Sequence, residues 1–315
     1  MRVVVVGSGV SGLTCGVTLL EHGHDVQIWA ASPAALTTSA VAAAVWYPLR
    51  GERDARVDGW LPVSYSRFAS LAEDPASGII LRSGIELFRE PADDTWWRDV
   101  LPRFRHASAE ELPRGYADAF VAERIPVVEM PLYLAFLVSR FEGLGGALRE
   151  RAVSSPDEVD ADVVVNCAGL GARELARDGS VRAIRGQVVW IEPFGLDRYI
   201  LDEANPDGVT YICPRSNDVV LGGTREDDVE SLDPDPPTAE AIIARCAVLE
   251  PRVKAARVLA HRVGLRPGRP SVRLEREGRV VHDYGHGGSG VTLSWGCAAE
   301  VAELVAPAER DHRLR

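Results

Sequence analysis

The stretch Val3-Val4-Val5-Val6-Gly7-Ser8-Gly9-Val10-Ser11-Gly12 decides how the rest of this 315-residue sequence is read. Four consecutive β-branched residues suit a strand buried on both faces of a parallel sheet. Gly7, Gly9 and Gly12 then stand in GxGxxG spacing. In that spacing the first glycine permits a tight turn, the second lets backbone approach a pyrophosphate, and the third lets a helix pack on the strand. Residues 13–22 carry a helical pattern with Gly23 placed to stop it, and residues 25–29 read as a second strand. The result is a complete βαβ unit whose helix N-terminus, with Val10 and Ser11, offers free N–H groups to phosphates. Such a unit binds a dinucleotide without choosing between NAD and FAD. A carboxylate for the ribose is expected at the end of the second strand, yet the sequence there is Trp29-Ala30-Ala31-Ser32. The ribose is left to Ser32 or to a backbone group.

The flanking composition narrows the class. With 35 Lys and Arg against 46 Asp and Glu, the net charge of -11 argues against nucleic acid or an anionic membrane as the partner. No apolar run approaches the roughly 18 residues needed to cross a bilayer. Five widely spaced cysteines form no CxxC pair and no His/Cys ligand cluster, so no metal site is expected and a reduced protein is. The glycine motif follows Met1 too closely for a signal peptide. The last residues, His312 to Arg315, do not spell an SKL-type address. A cytoplasmic location is the expectation.

Further along the chain, residues 33–48 are rich in alanine, which favours a helix start over a segment packed close to a planar ligand. Residues 50–130 are charged and aromatic without a repeat. A helix is expected over 131–141 and a buried strand over 161–169, ending in the turn Cys167-Ala168-Gly169. Strand-like segments at 186–192, 208–213 and 218–223 suggest an antiparallel sheet. Residues 226–237 read as a loop, 238–250 as a helix, and 295–304 as a helix after the glycine-rich turns at 285–290. The fold class expected is α/β, a Rossmann-like dinucleotide domain with a parallel sheet beside an antiparallel-sheet substrate domain. The domains are discontinuous, with 1–45, 130–180 and 262–315 in the first and 46–129 and 181–261 in the second.

Three segments resemble one family. Thr37-Thr38-Ser39 followed by Val41 to Pro48 looks like the flavin-contacting segment of D-amino-acid and D-aspartate oxidases. Gly264-Leu265-Arg266-Pro267-Gly268-Arg269-Pro270-Ser271-Val272-Arg273-Leu274-Glu275 is similar to their GxRPxRPxVRLE segment. Tyr284-Gly285-His286-Gly287-Gly288-Ser289-Gly290-Val291-Thr292 resembles their C-terminal YGHGGxGxT signature. The matches run in order along nearly the whole chain. The resemblance implies FAD as cofactor, held by the βαβ glycines and by Thr37, Thr38, Ser39, Ala43, Ala44, Val45, Val153, Cys167, Ala168, Gly169, Gly287, Gly288, Gly290, Val291 and Thr292. It implies oxidation of a D-amino acid to an imino acid that hydrolyses to a 2-oxo acid and ammonia. Dioxygen is the acceptor and hydrogen peroxide the product, and family habit implies a homodimer.

The guanidinium of Arg266 is a planar fork suited to a carboxylate in a dry site, and by resemblance it anchors that of the substrate. Tyr211 by resemblance adds a hydrogen bond to the same carboxylate, and the Gly288 carbonyl takes one from the amine. His286 reads as a structural histidine rather than a base. A second active-site tyrosine, found in animal members four positions before the first, is replaced by Asp207. Arg225 stands where D-aspartate oxidases hold the side-chain carboxylate, but beside Glu226, Asp227 and Asp228 it reads equally as a solvated loop residue. D-aspartate or D-glutamate oxidation is therefore one alternative. A glycine or sarcosine oxidase and a non-catalytic flavin-binding protein are others.

Overall fold

The computed structural model describes residues 1–47, 55–92, 100–101 and 103–306. Pro48 and the C-terminal tail, both used in the sequence reading, lie outside the described residues. Among those described, two sheets form, and each is built for a different job.

The first is the nucleotide sheet. Strand β1 (Arg2–Val6) pairs in parallel with β2 (Asp25–Ala30) on one side and with β7 (Val163–Asn166) on the other. Strand β6 (Ala147–Glu150) extends the sheet beyond β2 in parallel, and β15 (Val280–Tyr284) extends it beyond β7. The antiparallel β14 (Arg273–Glu277) closes the other edge. All four valines of β1 are buried, and each contributes roughly 1.5–3 kcal/mol relative to an exposed side chain. Helix α1 (Val10–Glu21) begins three residues before the expected start. Those three positions contain no strong helix former, but a Cβ on Gly12 would lie 1.9 Å from the Gly7 carbonyl oxygen. Only glycine lets the first turn sit on the loop that feeds it.

The second sheet is mostly antiparallel. Its order is β12 (Glu226–Asp227), β8 (Arg182–Ile191), β11 (Val219–Gly222), β10 (Thr210–Pro214), β9 (Tyr199–Asp202), β3 (Ile79–Phe88), β5 (Asp118–Val128) and β4 (Phe104–His106). The β3–β9 pair alone among the described pairs of this sheet is parallel. Strand β13 (Val258–Gly268) joins by pairing with β8. The boundary expected at residue 262 thus falls inside a strand of the second sheet, and β12 adds a short pairing to a stretch read as loop. Helix α5 (Pro236–Leu249), capped by the Asp235 carboxylate on the Thr238 N–H, packs on this sheet.

Two further helices form, one in the stretch 50–130 where the sequence offered no reading and one where a helix was expected over 131–141. Helix α2 (Ala55–Leu71) buries Trp60, Leu61, Ser64, Phe68 and Leu71, a helical spacing, and packs on α6 (Gly290–Val305). Helix α3 (Met130–Gly143) lies against α1, and the single turn α4 (Ala172–Leu175) follows β7. Helix α6 begins five residues earlier than expected, directly out of the glycine-rich turn. The Ala-rich stretch is not a helix start: it forms two short 3-10 turns, Ala34–Leu36 and Thr38–Val41, and then extended chain. The hydroxyls of Thr37 and Thr38 donate to the carbonyls of Ala34 (2.7 Å) and Leu265 (2.9 Å). Such side-chain bonds compete with a regular helix.

Candidate functional site

One cavity of about 930 Å³ runs between the two sheets, near the upper end of ligand-site volumes. Its walls are built from segments distant in sequence. The loop after β1 supplies Gly7, Gly9, Val10 and Ser11. The 3-10 segment supplies Thr37, Thr38, Ser39, Ala43, Ala44 and Val45, and the end of β7 supplies Cys167, Ala168 and Gly169. The turn before α6 adds Gly287, Gly288 and Gly290, with Val291 and Thr292 at the helix start. Gly12 does not line the cavity, because its place is under the loop. Val153 does not line it either, packing instead on a cluster that includes Val4, Val6 and Trp29.

The cradle fits a dinucleotide on its own geometry. Gly7 has φ +114° and a Cβ there would meet the Cys167 carbonyl oxygen at 2.3 Å, so the loop passes β7 where no side chain fits. Both α1 and α6 begin at this cavity with no side-chain cap and no acidic residue in the first turn. The Val10 N–H is held by Ser39 Oγ at 3.0 Å, which ties the 3-10 segment to the helix start. The remaining first-turn N–H groups and both macrodipoles are directed to the cavity, an arrangement that favours phosphate and electron-rich ring edges. At the far end of the loop, Ala30, Ala31 and Ser32 line the cavity, and Ser8 Oγ donates to the Ser32 carbonyl at 2.8 Å. Ser8 was not singled out in the sequence.

At the opposite end stand Arg266 and Tyr211. Arg266 extends from β13, and its Nη1 donates to the Thr224 carbonyl at 3.1 Å. The guanidinium crosses β8 at Gly186, where a Cβ would lie 2.4 Å from Nη1. Tyr211 lies over Gly222 of the neighbouring strand in the same way, across the pair Tyr211↔Gly222. Burial pushes the Tyr211 hydroxyl up to about 12, with the Arg266 charge opposing it. The group therefore stays a protonated donor at neutral pH.

Arg225 also lines the cavity, but its side chain is 66 % exposed and pairs with Asp227 at 3.4 Å. Asp207 is exposed and does not line it. Like Ser8, the lining residues Tyr47, Glu203 and Asp283 escaped the sequence reading as site residues. Tyr47 donates to the buried Glu86 carboxylate at 2.7 Å, Glu203 follows β9, and Asp283 is the penultimate residue of β15. Alternation along β9 could have pointed to Glu203, and Asp283 adjoins the quoted glycine signature.

Asp283 also organises what the cysteine spacing could not show. Its carboxylate takes the Cys15 thiol at 3.4 Å and the Cys167 thiol at 3.7 Å, and faces His286 Nε2 at 3.1 Å. Cys297 completes a second buried group with Asp283 and His286. The thiol pKa values of Cys15, Cys167 and Cys297 are all raised, Cys15 chiefly by its neighbour Cys167 and the other two by burial. The Cys15 and Cys167 thiols are thus held as donors to the Asp283 carboxylate. All five cysteines are buried and unbridged.

The same chain matches the family model described as DAO, FAD dependent oxidoreductase, over residues 2–304. It is 54% identical to a D-amino-acid oxidase of Rubrobacter xylanophilus over 98% of this chain and 96% of that protein. A D-amino-acid oxidase of Streptomyces coelicolor is 45% identical over 97% of each chain. A solved glycine oxidase from Geobacillus kaustophilus shares the fold with a TM-score of 0.82 at 21% identity, covering 96% of this chain and 94% of that one. With its glycine cradle, paired helix starts and two-sheet cavity, the chain belongs to the DAO family of FAD dependent oxidoreductases.

Proposed function

We propose that the chain uses FAD to oxidise D-amino acids to 2-oxo acids, ammonia and hydrogen peroxide, with dioxygen and water consumed. One observation carries this reading: a guanidinium and a protonated phenol converge at the end of a cavity whose other end is a dinucleotide cradle. The D-amino-acid oxidases that are 54% and 45% identical to it support the D configuration. Bound FAD supplies the redox chemistry by accepting two electrons from the substrate.

The protein's own part is positioning. Arg266, with Nη1 held by Thr224, presents its remaining N–H groups to the substrate carboxylate, and Tyr211 donates to the same group. The Gly288 carbonyl accepts from the amine, and the absence of a side chain there lets backbone approach. The loop is tied to the anchor, because the Gly287 N–H donates to the Pro267 carbonyl at 2.9 Å, one residue beyond Arg266. Carboxylate and amine are thereby held from two connected elements. Residues 1–45, 130–180 and 269–306 act as the cofactor half, and β13 acts with the substrate half. Five buried, unbridged thiols support a reducing intracellular compartment.

The test is peroxide release by the FAD-loaded protein over a panel of D- and L-amino acids. Turnover of D-isomers alone is expected, and silence across the panel overturns the reading. Tyr211→Phe removes one hydrogen bond to a charged group, about 2 kcal/mol, so KM for D-alanine should rise roughly tenfold to thirtyfold. Because this hydroxyl stays protonated, wild-type kcat/KM should show no loss from it up to about pH 10.

An acidic-substrate reading rests on Arg225. An exposed ion pair contributes about 0–1 kcal/mol, so Arg225→Ala should change kcat/KM for D-alanine and D-aspartate alike, each by less than about fivefold. A selective loss of a hundredfold on D-aspartate would restore that reading.

A further inference from the structure

We propose that Arg245, a residue of helix α5 that does not line the cavity, is a positioning residue for the substrate carboxylate: it fixes the Gly223–Thr224 peptide and, through it, the guanidinium of Arg266. The proposal rests on the D-amino-acid reading above.

The need for such a residue comes from Tyr211. Its ring lies so close to the end of β11 that a Cβ on Gly222 would sit 1.8 Å from Cζ, and one on Gly223 would sit 2.8 Å from the hydroxyl oxygen. Two consecutive glycines are required there, and glycine has more backbone freedom to lose than any other residue. The next residue, Thr224, carries the carbonyl that accepts from Arg266 Nη1 at 3.1 Å. The most permissive pair of the strand thus stands directly before the group that orients the guanidinium.

Arg245 restrains that pair from behind. Its Nη2 donates to the Gly223 carbonyl at 3.0 Å and lies 3.5 Å from that of Val209. The Gly223 N–H donates to the same Val209 carbonyl at 2.7 Å. The guanidinium therefore clamps β10 and β11 at the end where Val209, Tyr211 and Thr224 line the cavity. Cys246, the next residue of α5, adds its buried thiol to the carbonyls of Tyr211 (3.5 Å) and Gly222 (3.8 Å). From the neighbouring strand, the Gln187 N–H donates to Thr224 Oγ1 at 2.9 Å. The Gly223 carbonyl and the Thr224 N–H belong to one planar unit, so a bond to the first limits where the Thr224 carbonyl can point. Among the described residues the hydrogen bonds of Arg245 go to backbone carbonyls, and its guanidinium packs on Gly208, where a Cβ would meet Cζ at 3.3 Å. A charged donor makes such a bond roughly twice as strong as a neutral one.

The experiment follows the FAD-loaded protein by kcat/KM for D-alanine and by the Kd for propionate, which is alanine without the amine, read from the absorbance of the bound flavin. Arg245→Met keeps the apolar stem and removes the donors. Both constants should worsen roughly tenfold in it, with FAD occupancy unchanged. Arg245→Lys keeps one charged donor without the planar fork and should lose about threefold in each. In an Arg266→Ala background, Arg245→Met should lower kcat/KM by less than about twofold, because a residue that acts through Arg266 has nothing left to position. Unchanged propionate binding in Arg245→Met, or the same loss repeated in the Arg266→Ala background, overturns the proposal. If Arg245→Met fails to fold, Arg245→Lys decides, and wild-type affinity for propionate in that variant overturns the proposal as well. Failure of the D-amino-acid reading looks different: wild-type protein then turns over no D-amino acid at all.

Discussion

Replacing Arg266 by alanine should lower kcat/KM for D-alanine by about three orders of magnitude while the protein keeps its yellow cofactor. Removing one partner of a desolvated, hydrogen-bonded charge pair costs 2–5 kcal/mol or more, and each 1.36 kcal/mol is a factor of ten in rate. The loss should be concentrated in KM if Arg266 only binds, and shared with kcat if it also aligns the reacting carbon. Arg266→Lys should recover little. Lysine keeps the charge but has no fork, so it cannot hold the Thr224 carbonyl and a carboxylate in the geometry that Arg266 holds. Steady-state kinetics with the visible absorbance of the bound cofactor recorded on the same samples makes the measurement. Activity within tenfold of wild type in Arg266→Ala would remove this residue from the site.

The second large effect concerns the cradle. Gly12→Ala puts a methyl group 1.9 Å from the Gly7 carbonyl oxygen, a contact that only a shift of α1 or of the loop can relieve. Either shift moves the N–H groups that meet the pyrophosphate, and FAD occupancy after gel filtration should fall below about a tenth of wild type. Since α1 also packs in the core, circular dichroism must show that the helices remain. Gly9→Ala separates the two effects. At Gly9 the backbone is at φ -69° and a Cβ would only approach Ser39 Oγ at 3.2 Å, so the fold tolerates it. Its methyl group intrudes on the pyrophosphate path, and FAD affinity should drop about tenfold with little change in melting temperature. Full FAD occupancy in both variants would mean that the cofactor lies elsewhere.

The two predictions probe opposite ends of one cavity, and the ends differed in how far they could be read in advance. The phosphate end was legible because its chemistry is local. A buried strand, three spaced glycines and a helix start are contiguous in sequence, and Gly7 and Gly12 are each required by a contact with backbone rather than by a partner that could vary. The substrate end was legible through the family resemblance, since one arginine among many carries no signal that it faces a carboxylate. The Ala-rich segment misled because helix propensity is a weak prior. Two threonine hydroxyls and the neighbouring strand β13 overrode it.

Strand β1, its glycine turn, the helix that follows and the two-sheet α/β class were determined by the sequence itself, because hydrophobic period and turn chemistry act over a few residues. The residues of α2 also carried a helical spacing that could have been read. Tertiary structure alone decided what meets across the cavity. It placed Arg266 over Gly186, turned Asp202 away to Arg89 while leaving Glu203 on the cavity face, and gathered Cys15, Cys167 and Asp283 from three distant segments. Those choices depend on strand register and on which side chains can be packed or paired without leaving a buried charge alone. That is a property of the assembled sheets, and no window of the sequence contains it.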